Sequence, residues 1–252
     1  MSADMTPYAH HAAIPVFARW FGSWRISVER RPFDASQLAR FYDAEAATWD
    51  DKLARLGVVN GYEQMLRQVF PRHHNSPKVL DAGIGTGALS IALTQVIDRP
   101  FQLSGVDLSS GMLAHAHKRL RSTDCALELR QSDMTMLPFA DNSFDVVMTA
   151  HTLEHLHAPA KAIREFARVL RPGGMMIACI TRQSWMGAYI QLKWHTHRVS
   201  PQVGRRWLSE NGLNGVRVVP MPKDGALGRL SLAYVGWKGC VQLGTETADL
   251  VG

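Results

Sequence analysis

Val79-Leu80-Asp81-Ala82-Gly83-Ile84-Gly85-Thr86-Gly87 reads as an apolar strand ending in an acid, followed by a glycine loop that opens a helix. Glycines allow a tight backbone turn and let a ligand lie against bare main chain. The helix beyond offers unpaired N–H groups to a carboxylate or phosphate. A dinucleotide-binding loop is the rival reading, but it needs GxGxxG. Here the spacing is GxGxG and position 88 is Ala. Asp81 would also repel a pyrophosphate, whereas it suits the ammonium and sulfonium side of S-adenosylmethionine. The glycine pattern is weak alone and gains weight from the strand, acid and helix around it.

Outward from this loop, short β-rich runs alternate with helical patterns from about residue 78, which predicts βαβ units on a parallel sheet. Strands are expected at 78–81, 101–107, 126–132, 144–149 and 175–181, with later ones at 216–219 and 231–237. Helices are expected at 87–97, 110–121 and 159–170, the last with a proline in its first turn and stopped by Pro172-Gly173-Gly174. Residues 1–77 read as a helical cap or lid, with helices at 37–56 and 62–70 and no strand. Residues 78–252 read as the sheet domain, the whole forming a single structural domain. A further amphipathic stretch is expected at 184–194.

Asp107 ends the second strand in Gly105-Val106-Asp107-Leu108-Ser109. Ligands of doubly wound sheets bind at that edge. Its carboxylate could accept both hydroxyls of a ribose, or it could be an acid favoured by the following helix N-terminus. Asp133 follows the third strand, where it could meet an adenine amino group.

VLDAGIGTG, GVDLSSGML, QSDMTMLPFADNSFDVV, HTLEHL and LRPGG together resemble the UbiE-like branch of class I S-adenosylmethionine-dependent methyltransferases. The resemblance covers residues 78–181. It implies a Rossmann-like α/β fold: a seven-stranded, mostly parallel sheet with an antiparallel last strand and helices on both faces. It implies S-adenosylmethionine as cofactor and S-adenosylhomocysteine as product. Asp81, Gly83, Gly85 and Gly87 would hold the methionine part, and Asp107 with Leu108 the ribose. Met112 would pack on adenine, with Asp133 and Met134 at its edge. In the cap, Phe41-Tyr42-Asp43 resembles a segment that closes over the cofactor, so Tyr42 joins the expected cofactor site with Trp49 nearby.

Methyl transfer from a sulfonium is an in-line displacement in which orientation and desolvation supply much of the rate. A base is needed only if the acceptor loses a proton. His151 and His155 follow the fourth strand, and their spacing places both on one face if the segment is helical. A metal site from His151, Glu154 and His155 is not expected, because no distant third ligand is identifiable.

The composition is that of an ordinary globular protein, with 46% hydrophobic and 20% charged residues. Cys125, Cys179 and Cys240 are scattered, which argues against a disulfide framework or zinc site and for a reducing compartment. The N-terminus lacks signal-peptide character, and a cytoplasmic protein is expected. A net charge of +6 invites an anionic partner. However, no (D/N)PPY-like motif follows the fourth strand and no basic domain is appended, so nucleic acid is not expected. A nucleic-acid methyltransferase and a non-catalytic cofactor-binding scaffold are the rival functions. Trp20, Phe21 and Trp24 with Arg19 and Arg25, and Trp185, Met186, Tyr189, Ile190 and Trp194, are dense in apolar bulk. They predict a wall for a small apolar acceptor (a quinone, lipid or natural product), a peripheral membrane contact, or a homodimer contact.

Overall fold

The computed structural model describes residues 14–30, 35–70, 76–182, 199–222 and 225–239. A hairpin of β1 (Ile14–Phe21) and β2 (Trp24–Arg30) precedes helices α1 (Ala35–Arg55) and α2 (Val58–Val69). The glycine loop lies between β3 (Lys78–Ala82) and α3 (Ala88–Thr94). Then come β4 (Phe101–Asp107), α4 (Ser110–Leu120), β5 (Cys125–Gln131) and β6 (Phe144–Ala150). A 3-10 turn at Leu153–His155 leads to α5 (Pro159–Val169) and β7 (Leu170–Thr181). The described chain closes with α6 (Pro201–Ser209), β8 (Leu213–Pro220), α7 (Ala226–Leu230) and β9 (Ser231–Lys238).

Seven strands form one sheet in the order β5-β4-β3-β6-β7-β9-β8. β3 pairs in parallel with β4 and β6, β4 with β5, and β6 with β7. β9 runs antiparallel between β7 and β8, as expected for the last strand. Chain order reverses between β3 and β6, so the crevice at their carboxyl ends is the switch point where doubly wound sheets hold ligands.

Both sheet faces are covered, and the period of two in the strands sorts side chains between them. Along β7, Met175, Ile177 and Cys179 enter one core with residues of α2, α3 and α4, while Met176, Ala178 and Ile180 enter the other with residues of α5 and α6. The fully buried Ala162, Ile163 and Phe166 mark the packed stripe of α5. Arg168 of α5 donates to Glu165, Asp141 and the carbonyls of Leu137 and Phe139, which pins the loop before β6.

Residues 14–30 depart from the expectation that the N-terminal segment is free of strands. Phe21 pairs with Trp24 across Gly22-Ser23, and Trp20 pairs with Arg25. Two runs rich in β-branched and aromatic residues, separated by a two-residue turn with Gly22 at φ 62°, are the local signal for this hairpin. Met65 and Leu66 of α2 are fully buried in the core beside α3, so this helix is integral to the sheet's covering layer. The stretch 184–194 lies outside the described residues.

Candidate active site at the carboxyl edge of the sheet

The loop after β3, Asp107 at the end of β4 and His151 beyond β6 gather along one edge because their strands run parallel. Asp81 is buried and accepts a hydrogen bond from the Ser90 hydroxyl at 2.6 Å. Burial, and secondarily the charge on Asp107, push its pKa up to about 7 against the lowering effect of Ser90. Gly83 has φ 75°, and a Cβ there would stand 2.3 Å from the Thr152 methyl. Gly85 also has a positive φ, but its missing Cβ would meet nothing within 4 Å. Thus Gly83 is glycine for packing and turn geometry, while Gly85 leaves bare backbone facing open space.

Asp107 carries more of the local structure than its sequence position suggests. Oδ2 accepts the Gly85 N–H and Oδ1 the Ser109 N–H, both at 2.9 Å. It therefore ties the glycine loop to the turn after β4. Burial raises its pKa, opposed by these backbone donors. Ser109 is the N-cap of α4 and accepts the Met112 N–H at 3.0 Å, with Asp107 bonded to the Ser109 N–H just before the helix. Met112 is buried in the first turn of α4, and Leu108 precedes the cap. Asp133 caps its own turn by accepting the Thr135 N–H, and neighbouring Met134 is buried with its methyl toward Gly83.

The two histidines do not share a helical face. His151 sits in the left-handed region at φ 55°, and only 153–155 form a 3-10 turn. A bend at His151 replaces the helix that the four-residue spacing assumed. His151 lies toward the ends of β7 and β9, with Nδ1 at 3.1 Å from Thr181 Oγ1 and 3.3 Å from Glu154 Oε1, and Nε2 at 3.2 Å from Ser231 Oγ. His155 instead meets the cap, with Nε2 at 3.3 Å from the Tyr42 hydroxyl.

Tyr42 therefore lies over the site. Its ring packs edge-on against Trp49 and His155. Burial first, then the charges of Asp107 and Glu154, raise its pKa, so it remains a hydrogen-bond donor. Asp43, the next residue, accepts from the Ser109 hydroxyl and the Gly111 N–H, docking α1 on the start of α4. Side-chain roles for Asp43 and Glu154 were not apparent in the sequence. Glu154 is buried, and its Oε1 accepts from the Thr181 N–H and hydroxyl. Burial alone would raise its pKa, but His151, His155 and the Thr181 N–H bring it down to about 2. Its Oε2 is buried without a protein partner among the described residues. The acid in HTLEHL is the sequence signal for this role. Among the described residues, no His/Cys/Asp/Glu cluster has the geometry to hold a metal ion.

The sheet order and the acid–glycine loop are similar to those of class I methyltransferase domains. Residues 80–178 match the family model described as "Methyltransferase domain". The chain is a homologue of demethylmenaquinone methyltransferases. It is 33% identical to that of Desulfitobacterium hafniense over 51% of this chain and 52% of the relative. It is 29% identical to that of Bacillus licheniformis over 72% of this chain and 93% of the relative. The matched span is thus about half the length of the Desulfitobacterium protein. A solved S-adenosylmethionine-dependent methyltransferase from Thermotoga maritima shares the fold at TM-score 0.64 and 18% identity, covering 80% of this chain and 99% of that one.

Proposed function

We propose that this protein transfers the methyl group of S-adenosylmethionine to a small apolar acceptor. The observation that carries the proposal is the convergence of buried Asp81 and half-buried Asp107 on a glycine loop whose Gly85 faces open space. The donor set fits the cofactor: a carboxylate for the ammonium, a second for ribose hydroxyls, and bare backbone between. Asp81, Gly83, Gly85 and Gly87 would hold the methionine part, Asp107 and Leu108 the ribose, and Met112, Asp133 and Met134 the adenine. Of the 1–77 cap, α1 would act as the lid on the sheet domain, with Tyr42 over the cofactor, while α2 belongs to the core.

The cofactor supplies a sulfonium-activated methyl group and leaves as the thioether S-adenosylhomocysteine. The chain's own residues orient the acceptor and exclude water. With its Nδ1 proton directed at Glu154 and Thr181, His151 presents Nε2 beside Ser231, where it can take a proton from an acceptor that must lose one. His155 holds the closed lid through Tyr42. The names of the relatives favour a demethylated quinone-type acceptor, and such a molecule resides in a bilayer, so a peripheral membrane contact accompanies this reading. The described residues contain no helix long and apolar enough to cross a membrane.

The test is transfer from methyl-labelled cofactor to demethylmenaquinone or, in parallel, to RNA. Label in the quinone is the expected result, with His151→Gln lowering kcat about 10²–10⁴-fold if proton removal is part of the step. Label in RNA alone would overturn the acceptor class. Cofactor binding without transfer to either acceptor would favour the scaffold reading.

Asp81 makes the cofactor step pH-dependent. Its folded pKa of about 7 lies above the ordinary 3.8, so burial of its ionised form costs stability progressively as pH rises through that interval. A bound ammonium recovers this cost by pairing with the carboxylate. S-adenosylhomocysteine should therefore bind roughly tenfold more tightly at about pH 8 than at about pH 6, and Asp81→Asn should bind weakly with that rise removed. Calorimetric titration across the range checks it. An equal pH slope in both proteins would assign the proton elsewhere.

A further inference from the structure

We infer that the β1–β2 hairpin is a membrane-docking element that inserts its tip into the interface of an anionic bilayer. This deepens the lipophilic-acceptor reading above by naming the surface that would bring the site to its substrate.

Exposed apolar bulk is concentrated at this tip. Trp20, Phe21, Trp24 and Ile26 are 66%, 54%, 77% and 55% exposed. Isolated exposed apolar residues are ordinary, but here four large ones lie within seven positions of one hairpin.

Strand register decides what kind of partner fits. Phe21 stands opposite Trp24 and Arg19 opposite Ile26, so these four share one face. Trp20 stands opposite Arg25 on the other face. Arg19 lies over the Phe21 ring at 5.8 Å. A groove on a protein partner, or a second copy, would cover one face and leave the other wet. A bilayer interface surrounds an inserted tip, so aromatics on both faces are covered together. Tryptophan rings favour the headgroup level, where a large apolar body can sit beside a polar edge.

Charge points the same way. Arg19 and Arg25 flank the aromatics, and residues 14–28 contain no Asp or Glu. The chain as a whole carries +6. Arginines at headgroup depth pair with lipid phosphates while their stems stay among apolar groups.

The experiment is co-sedimentation of the full chain with phosphatidylcholine vesicles, with and without phosphatidylglycerol. No methyl transfer is read, so the result stands apart from the assay of the proposed activity. The wild type should bind, and more strongly when phosphatidylglycerol is present. Trp20→Ser/Trp24→Ser should weaken binding to both vesicle types at least about tenfold. Arg19→Gln/Arg25→Gln should lose about fivefold per arginine on anionic vesicles and little on neutral ones. Thermal melts should be unchanged in both variants, since the altered side chains are exposed. Absence of vesicle binding by the wild type, or undiminished binding by the tryptophan variant, would overturn the inference. Conversion of a dimer to a monomer by the tryptophan variant, without vesicle binding, would make the hairpin a contact between copies instead.

Discussion

Asp107→Ala should weaken S-adenosylhomocysteine binding by on the order of ten- to several-hundred-fold. A charged acceptor of two ribose hydroxyl hydrogen bonds is worth about 1.5–3 kcal/mol per bond, with water replacing part of it. The same substitution should also lower stability, because Asp107 accepts the N–H groups of Gly85 and Ser109. Leaving such donors unpaired costs about 1–3 kcal/mol each where they are buried. The structure couples the two effects, so the measurement needs a second variant. Asp107→Asn preserves shape and one acceptor oxygen, and should recover much of the melting temperature while binding ligand more weakly than the wild type. Calorimetric titration beside thermal melts reads both quantities. Wild-type affinity in either variant would remove Asp107 from the cofactor site.

Glu154→Ala should be among the most destabilising single changes in the chain, at about 3–5 kcal/mol. Oε1 serves His151, the Thr181 N–H and the Thr181 hydroxyl together. Truncation orphans those donors in a buried place and leaves a cavity. Glu154→Gln should cost less, since one amide oxygen can still accept. The acid limb gives an independent check. The folded pKa of about 2 lies below the ordinary 4.5, so the stabilisation is fully present above about pH 4.5 and disappears as pH falls toward 2. That shift corresponds to on the order of 3 kcal/mol. Denaturant melts of wild type and Glu154→Gln should converge on acidification. Parallel curves down to the acid limit would show that Glu154 does not carry this term.

The same geometry holds His151 from two sides. Glu154 and Thr181 fix one side of the imidazole, and Ser231 meets the other. The backbone N–H of His151 bonds the Cys179 carbonyl, which pins the residue to β7 despite its left-handed φ. Backbone and side chain are thus held independently, as a group with a required orientation needs.

The sheet domain was legible in the residue order. Short apolar β-rich runs, a glycine loop after the first strand and Pro159 at a helix start are local signals, and local signals survive in a linear text. They placed the strands at 101–107 and 231–237 to within a residue of β4 and β9. They also identified Asp81 and Asp107 as acids at strand ends, a position that the parallel sheet turns into a shared edge. What the residue order left undecided depends on contacts between distant segments. Asp43 meets Ser109 across 66 positions, and Ser231 meets His151 across 80. No spacing rule encodes such a pair, because its distance is set by how helices and strands pack. The same holds for the separation of His151 from His155: an i, i+4 interval brings side chains together only on a helix, and the backbone at His151 takes a left-handed bend instead. The hairpin shows a third kind of dependence. Its aromatics are visible in the sequence, but only the strand register decides that they occupy both faces of the hairpin.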